Sequence, residues 1–153
     1  ADELLDHVIA WMKQATEAAL CLHPDDLPLW DILEMQCRMF GVPYVPAPPP
    51  DYWLKDEERL AIGELEGIAL HTPGHTPGSM CFHFPAAKLV VAGDTLFRGS
   101  IGRTDLWGGD FDVIEQSIRE RLYTLDEQTA VVTGHGPETE IGRERETNSF
   151  VRA

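Results

Sequence analysis

The chain has 153 residues, 43% of them hydrophobic and 25% charged, with a formal net charge of −14 at neutral pH. Those proportions suit a soluble globular protein of one-domain length with room for a buried core. The acidic balance argues against nucleic acid and anionic membranes as partners. Cys21, Cys37 and Cys81 are odd in number, widely spaced and set among apolar residues. That pattern reads as buried free thiols in a reducing cytosol, without disulfides. No apolar run reaches the roughly 18 residues a membrane span needs, and the opening ADELLDHV lacks the order of a secretory leader.

In chain order, Leu5, Val8, Ile9, Met12 and Ala15 recur at helical steps behind Asp2 as N-cap. Ala18 to Leu22 is a short apolar run halted by Pro24, and Asp25 or Asp26 can cap a helix over about 27–40 that ends at Gly41. Five prolines between Val42 and Pro50 make an extended connector. Residues 1–41, 42–50 and 51–153 are thus segments of one expected domain.

Beyond the connector the pattern alternates. Apolar runs at Leu65–Leu70, Met80–Phe84 and Leu89–Ala92 read as strands, with PAAK as a turn between the last two. Alternation along Ser79–Phe84 sets His83 on the face of Cys81, and the reading of His83 is an edge or surface residue. Asp110 or Asp112 opens a helix to Tyr123 with Val113, Ile114, Ser117, Ile118 and Leu122 inward. Ala130–Thr133 is a last strand, and Thr139 is expected to cap a polar closing helix, IGRERETN. Helices alternating with short buried strands give an α/β class with a layered sheet.

Three ligand-type residues follow strand ends. His75 follows Leu70 within HTPGHTPGS, Asp94 sits in VVAGDT, and His135 in VVTGHGP. Each alone has a structural reading: a turn residue, a cap, a core imidazole. Converging on one rim they form a metal site, and imidazole with carboxylate suits zinc, iron(II) or manganese. The glycines before Asp94 and His135 let the backbone turn sharply.

HTPGHTPGS, VAGDTLFRGSIGRTDLWGGD and VVTGHGPETEIGRERETN, in that order, resemble the C-terminal part of a metallo-β-lactamase-fold hydrolase of the glyoxalase II-like kind, over roughly residues 18–153. The resemblance implies an αββα sandwich with a one- or two-metal site, zinc foremost, where a metal-bound hydroxide attacks a thioester or other acyl carbon. By resemblance His75 serves the first metal, Asp94 bridges and His135 serves the second, while His71 matches no ligand. The loop carrying Arg98, Arg103 and Trp107 lies by resemblance beside the cleft. Arg98 and Arg103 could then position a carboxylate and Trp107 could wall the pocket; the competing reading pairs Arg103 with Asp105 or Asp110 as support.

The family's HxHxDH motif falls on ADELLDHV, so that Asp2 and Leu4 stand where two histidines belong and only Asp6 and His7 remain. Glu17 replaces a helix-ending glycine, and the family's upstream sheet has no counterpart. If the first helix starts at His7, Asp6, His7, Asp94 and His135 can hold one ion; if it starts at Asp2, Asp6 and His7 diverge by about 100° and the site is vestigial. The expectations are therefore a metal-dependent thioester hydrolase, a non-catalytic truncated or engineered scaffold, or iron chemistry on persulfides. The apolar face left by the missing sheet predicts a homodimer or a covering partner chain.

Overall fold

A computed structural model describes residues 12–13, 15–41, 43–44, 46 and 48–152, and the chain divides into two compact units, Ala1–Leu54 and Lys55–Ala153. Asp6 and His7 lie outside the described residues.

In the first unit, residues 12–13 and 15–16 are helical. The Glu17 N–H closes this helix on Lys13 O at 3.0 Å, and Glu17 itself sits at φ 55°. A left-handed residue at a helix end is glycine's role, which agrees with the expectation of a glycine at this position, and a glutamate there is strained. Of the apolar run 18–22, only Cys21–Leu22 forms a strand (β1), parallel to Tyr52–Trp53 (β2). The Asp51 carboxylate pairs with Lys13 and accepts the Leu20 N–H at 2.8 Å, and these contacts hold its pKa below the usual carboxylate value.

Neither Asp25 nor Asp26 caps as expected. His23 Nδ1 accepts the Asp25 N–H at 3.3 Å above a 3-10 turn, Pro24–Asp26, and the Asp26 side chain makes no capping hydrogen bond to helix α1 (Leu27–Asp31). The expected single helix breaks at Ile32, where φ and ψ are −101° and 11°, into α1 and α2 (Leu33–Phe40). It does end at Gly41 in the left-handed region. Cys37 is buried as expected, whereas Cys21 is exposed. The described residues of the proline-rich stretch have no regular structure.

The second unit is built on strands β3 (Arg59–Ile62), β4 (Leu65–His71), β5 (Met80–Phe84), β6 (Leu89–Gly93), β9 (Ala130–Thr133) and β10 (Thr139–Glu140). They make one mixed sheet in the order β10-β9-β6-β5-β4-β3, in which only β6 and β9 run parallel. Between β6 and β9 the chain forms a small hairpin, β7 (Leu96–Phe97) with β8 (Ser100–Ile101), and helix α3 (Phe111–Ser117), which widens into a π turn at Ile118–Leu122. Asp110 is the N-cap of α3, its carboxylate accepting the Val113 N–H at 3.1 Å. Helix α4 (Ile141–Thr147) closes the unit.

One continuous core forms where Leu70, Cys81, Val90, Ala92 and Val131 of the sheet meet Ile114, Ile118 and Leu122, with Leu96, Ile101, Tyr123, Ile141 and Val151 around them. Ile114, Ile118 and Leu122 are fully buried, and burying each such side chain contributes about 1.5–3 kcal/mol. The Tyr123 hydroxyl donates to Val151 O at 2.7 Å, and burial pushes its pKa up.

Two sequence expectations fail here. His83 is not on an edge: it lies opposite both Ile68 and Val90 in the middle of the sheet, half-buried, and burial lowers its pKa. Thr139 is not a helix cap: it lies in β10 opposite Val131 and donates instead to the Glu144 carboxylate at 2.5 Å. Both errors share a cause, since strand neighbours across a sheet are invisible to local pattern. Among the described residues no helix is long and apolar enough to cross a membrane.

Candidate metal centre

Three strand ends carry the site. After β4 the HTPGHTPGS loop is locked onto both ends of α3: Ser117, its last residue, donates to Pro73 O at 2.8 Å, and the N–H of Asp110, its N-cap, to Gly74 O at 2.8 Å. Gly74 adopts φ 128° with its bare Cα against α3, where a Cβ would fall 2.3 Å from Ile114 N. Inside the loop the Thr76 N–H donates to Ser79 Oγ at 3.0 Å. His71 ends β4 and its Nε2 contacts Pro77 O at 2.8 Å, so the first histidine of the repeat braces the loop. The second, His75, is carried at the turn.

His75 Nδ1 lies 2.8 Å from the carbonyl oxygen of Arg103. A carbonyl only accepts, so a neutral His75 keeps its proton on Nδ1 and a lone pair on Nε2. That Nε2 is 3.7 Å from Asp94 Oδ2. The other oxygen, Asp94 Oδ1, is 2.9 Å from His135 Nδ1. One carboxylate thus stands between two imidazoles, a different oxygen turned to each.

Glycines make this approach possible. Gly93 at φ 49° turns the chain out of β6 into Asp94. The Gly134 N–H donates to Gly93 O at 2.7 Å, and a Cβ on Gly134 would lie 2.1 Å from Asp94 Oδ1. A Cβ on Gly102 would lie 1.8 Å from Asp94 O and 3.3 Å from the Cβ of His75. Beneath the loops, Thr72 Oγ1 lies 3.2 Å from Cys81 Sγ and 3.3 Å from Thr95 Oγ1, tying β4, β5 and the Asp94 turn together out of solvent. Burial pushes the Cys81 thiol up, which makes it a packing group.

Side-chain exposure rises across the site, from 21% at His75 through 32% at Asp94 to 55% at His135. The His135 ring also stands in a T-shaped contact with Phe97, ring centroids 6.1 Å apart and planes at 77°. Two imidazoles and a carboxylate open to solvent on one side are a donor set for a borderline divalent ion. The backbone carbonyl on His75 is the kind of outer partner that fixes a metal-binding imidazole.

The remaining sequence-chosen residues divide. Arg103 turns its guanidinium to Asp105 in a bidentate pair, both contacts 2.8 Å, which lowers the Asp105 pKa to about 2. Its contact with His75 is through the backbone, so the supporting reading of Arg103 holds. Arg98 is exposed in the turn between β7 and β8, and Trp107 is 42% exposed on the loop before α3. Two contributors were not singled out from sequence, Gly102 and Glu144; Gly134 was read as a turn glycine, and its closeness to Asp94 was not. An IG pair carries no spacing signal, and Glu144 sits in a segment that reads as polar.

A mixed α/β sheet whose strand ends set two imidazoles about one carboxylate has the layout of a metalloprotein. The chain belongs to the metallo-beta-lactamase superfamily, whose family model matches residues 6–135. It is 37% identical to hydroxyacylglutathione hydrolase GloC of Haemophilus influenzae, across 97% of this chain and 72% of that one. It is 46% identical to the probable metallo-hydrolase YqgX of Bacillus subtilis, across 70% of this chain. The matched part is about half of that relative, 51% of its length. Among solved structures, TTHA1623 in a di-iron-bound form superposes with a TM-score of 0.86 at 38% identity, covering 95% of this chain and 71% of that one. The sheet and its flanking helices match that structure, so the α/β expectation is met.

Proposed function

We propose that this chain serves metal-dependent hydrolysis of an acyl thioester. The observation that carries the reading is the Asp94 carboxylate between His75 Nε2 at 3.7 Å and His135 Nδ1 at 2.9 Å. The likeness to a hydroxyacylglutathione hydrolase across nearly the whole chain supports it. Zinc is the first choice of ion, with iron or manganese as the others; a di-iron form is known for a solved relative. Bound there, such an ion supplies a water of lowered pKa and polarises the acyl carbonyl.

The protein's own contribution is placement. His75 presents a single lone pair because Arg103 O holds the opposite proton. Asp94 keeps its two oxygens facing different histidines because Gly134 and Gly102 leave room for it. His135, more than half exposed, leaves its flank open to substrate. Asp6 and His7 are the residues the sequence offers to complete the donor set. Arg98 supplies a cation for a substrate carboxylate, and Trp107 an apolar wall beside it.

The test is hydrolysis of S-lactoylglutathione by the purified chain with added zinc or manganese. Turnover that disappears in Asp94→Asn and His135→Ala is the expected result. Bound metal with no turnover supports a scaffold in place of an enzyme, and oxygen uptake on a persulfide with iron overturns hydrolysis as the chemistry.

A further inference from the structure

Helix α4 presents a carboxylate with no solvent contact. Glu144 is fully buried, the one charged side chain so placed among the described residues. Its Oε2 accepts the Gly99 N–H at 2.8 Å and the Asn148 amide at 2.8 Å; its Oε1 accepts the Thr139 hydroxyl at 2.5 Å. The Asn148 amide also donates to Ser100 O at 3.0 Å. Arg143 Nε also lies 3.6 Å from Oε1. Burying a carboxylate is unfavourable unless several donors satisfy it, so its three hydrogen-bond partners are held firmly.

Those partners lie on either side of His135. Gly99 lies in the turn of the β7–β8 hairpin and Ser100 begins β8, while β7 ends in Phe97, whose ring makes a T-shaped contact with the His135 imidazole. Thr139 begins β10, the strand into which the His135 loop runs. At its entry that loop is fixed by Gly134 on Gly93 O, at 2.7 Å. Its exit is fixed at Thr139. His135 is the most exposed of the three donor residues, so these surroundings decide its orientation.

We propose that Glu144 is a positioning residue for His135: one buried carboxylate anchors both the exit of the His135 loop and the hairpin whose Phe97 braces the imidazole. It reaches neither substrate nor ion, and acts through Gly99, Phe97 and Thr139.

The test is read on the metal-free protein, and so does not depend on the hydrolase reading. Long-range nitrogen–proton correlation spectra of histidine-labelled protein report ring tautomers. The parent is expected to show His135 in one tautomer, set by Asp94. Glu144→Ala should average the His135 ring signals while leaving those of His83, in the middle of the sheet, unshifted. Phe97→Ala should reproduce part of that change, and Glu144→Ala should add less in the Phe97→Ala background than alone. Glu144→Gln keeps an acceptor for Gly99 and should restore most of the parental signal; if the alanine variant does not fold, the glutamine and Phe97→Ala variants carry the comparison. With cobalt(II) added, Glu144→Ala should weaken binding about 10-fold or more, as loss of an outer support does. A folded Glu144→Ala with parental His135 signals would overturn the proposal. So would Phe97→Ala leaving His135 unchanged.

Discussion

Adding one methyl group at Gly134 separates the site from the fold that carries it. The Cβ of Gly134→Ala would lie 2.1 Å from Asp94 Oδ1 and 3.1 Å from the carbonyl group of Gly93. Ordinary carbon–oxygen contact begins near 3.4 Å, so Oδ1 must retreat by about 1.3 Å, and a carboxylate does this by rotating. The rotation breaks the 2.9 Å contact with His135 and turns Oδ2 away from His75. A displacement of about 1 Å at a reacting centre costs on the order of 100-fold, and loss of a supporting contact costs 10–100-fold in metal affinity. Zinc affinity should therefore fall by about 10–100-fold, or about 1.4–2.8 kcal/mol of binding. Stability should fall far less, because the displaced atom is the end of a side chain with a solvent-exposed flank. Gly102→Ala is the control, since its Cβ meets Asp94 backbone at 1.8 Å and the backbone must move, costing about 1–3 kcal/mol of stability. Calorimetric zinc titration with thermal unfolding in chelator reads both quantities. Parental zinc affinity in Gly134→Ala would refute the placement of Asp94 in the site.

Three further outcomes follow from the fold. Ile114→Ala, at a fully buried position over Gly74, should cost about 2–5 kcal/mol in denaturant unfolding; a cost under 1 kcal/mol would mean that α3 is not packed as described. Glu17→Gly should raise stability by about 0.5–1 kcal/mol, because relief of the φ 55° residue exceeds the added chain entropy; a loss of stability would place Glu17 in another conformation. His83 binds its proton less readily in the folded state than its ordinary 6.5, because it is partly buried. Its contribution is therefore full above about pH 6.5 and is lost as pH falls below that value. Unfolding curves from pH 7.5 to 5 should show the parent losing stability faster than His83→Gln, and parallel losses would remove His83 as the cause.

The sequence revealed most where hydrophobic period and glycine punctuation agree. Met80–Phe84 and Ala130–Thr133 are strands with the expected ends, and Leu65–His71 runs one residue past its expected end. Asp94 and His135 could be found because each follows such a run behind a single glycine, and His75 because it lies in the loop that leaves another. Short pairings were not visible. The β7–β8 hairpin has two residues a side, and β3 is four residues of weak alternation between acidic neighbours. Neither makes a periodic signal; each exists because the rest of the sheet or the site holds it.

Long-range polar contacts were the other gap. Glu144 lies in GRERETN, which reads as a solvated face, yet it is buried against groups 5 and 45 residues away in the chain. Only the fold brings Thr139 and Gly99 to it. The same holds for Gly102, and for the close approach at Gly134 that its reading as a turn glycine did not reveal: Asp94 occupies the space a side chain would need at both. For His83, alternation gave the correct face of the strand but not its place in the sheet, which depends on partners Ile68 and Val90.

The most direct test of the site is an anomalous-scattering map from crystals of this chain grown or soaked with zinc. The expected result is a peak bound by His75 Nε2, an Asp94 oxygen and a ring nitrogen of His135. Zinc bound elsewhere with these three side chains in their present positions, or no zinc at millimolar concentration, would contradict the assignment of this rim as the metal centre.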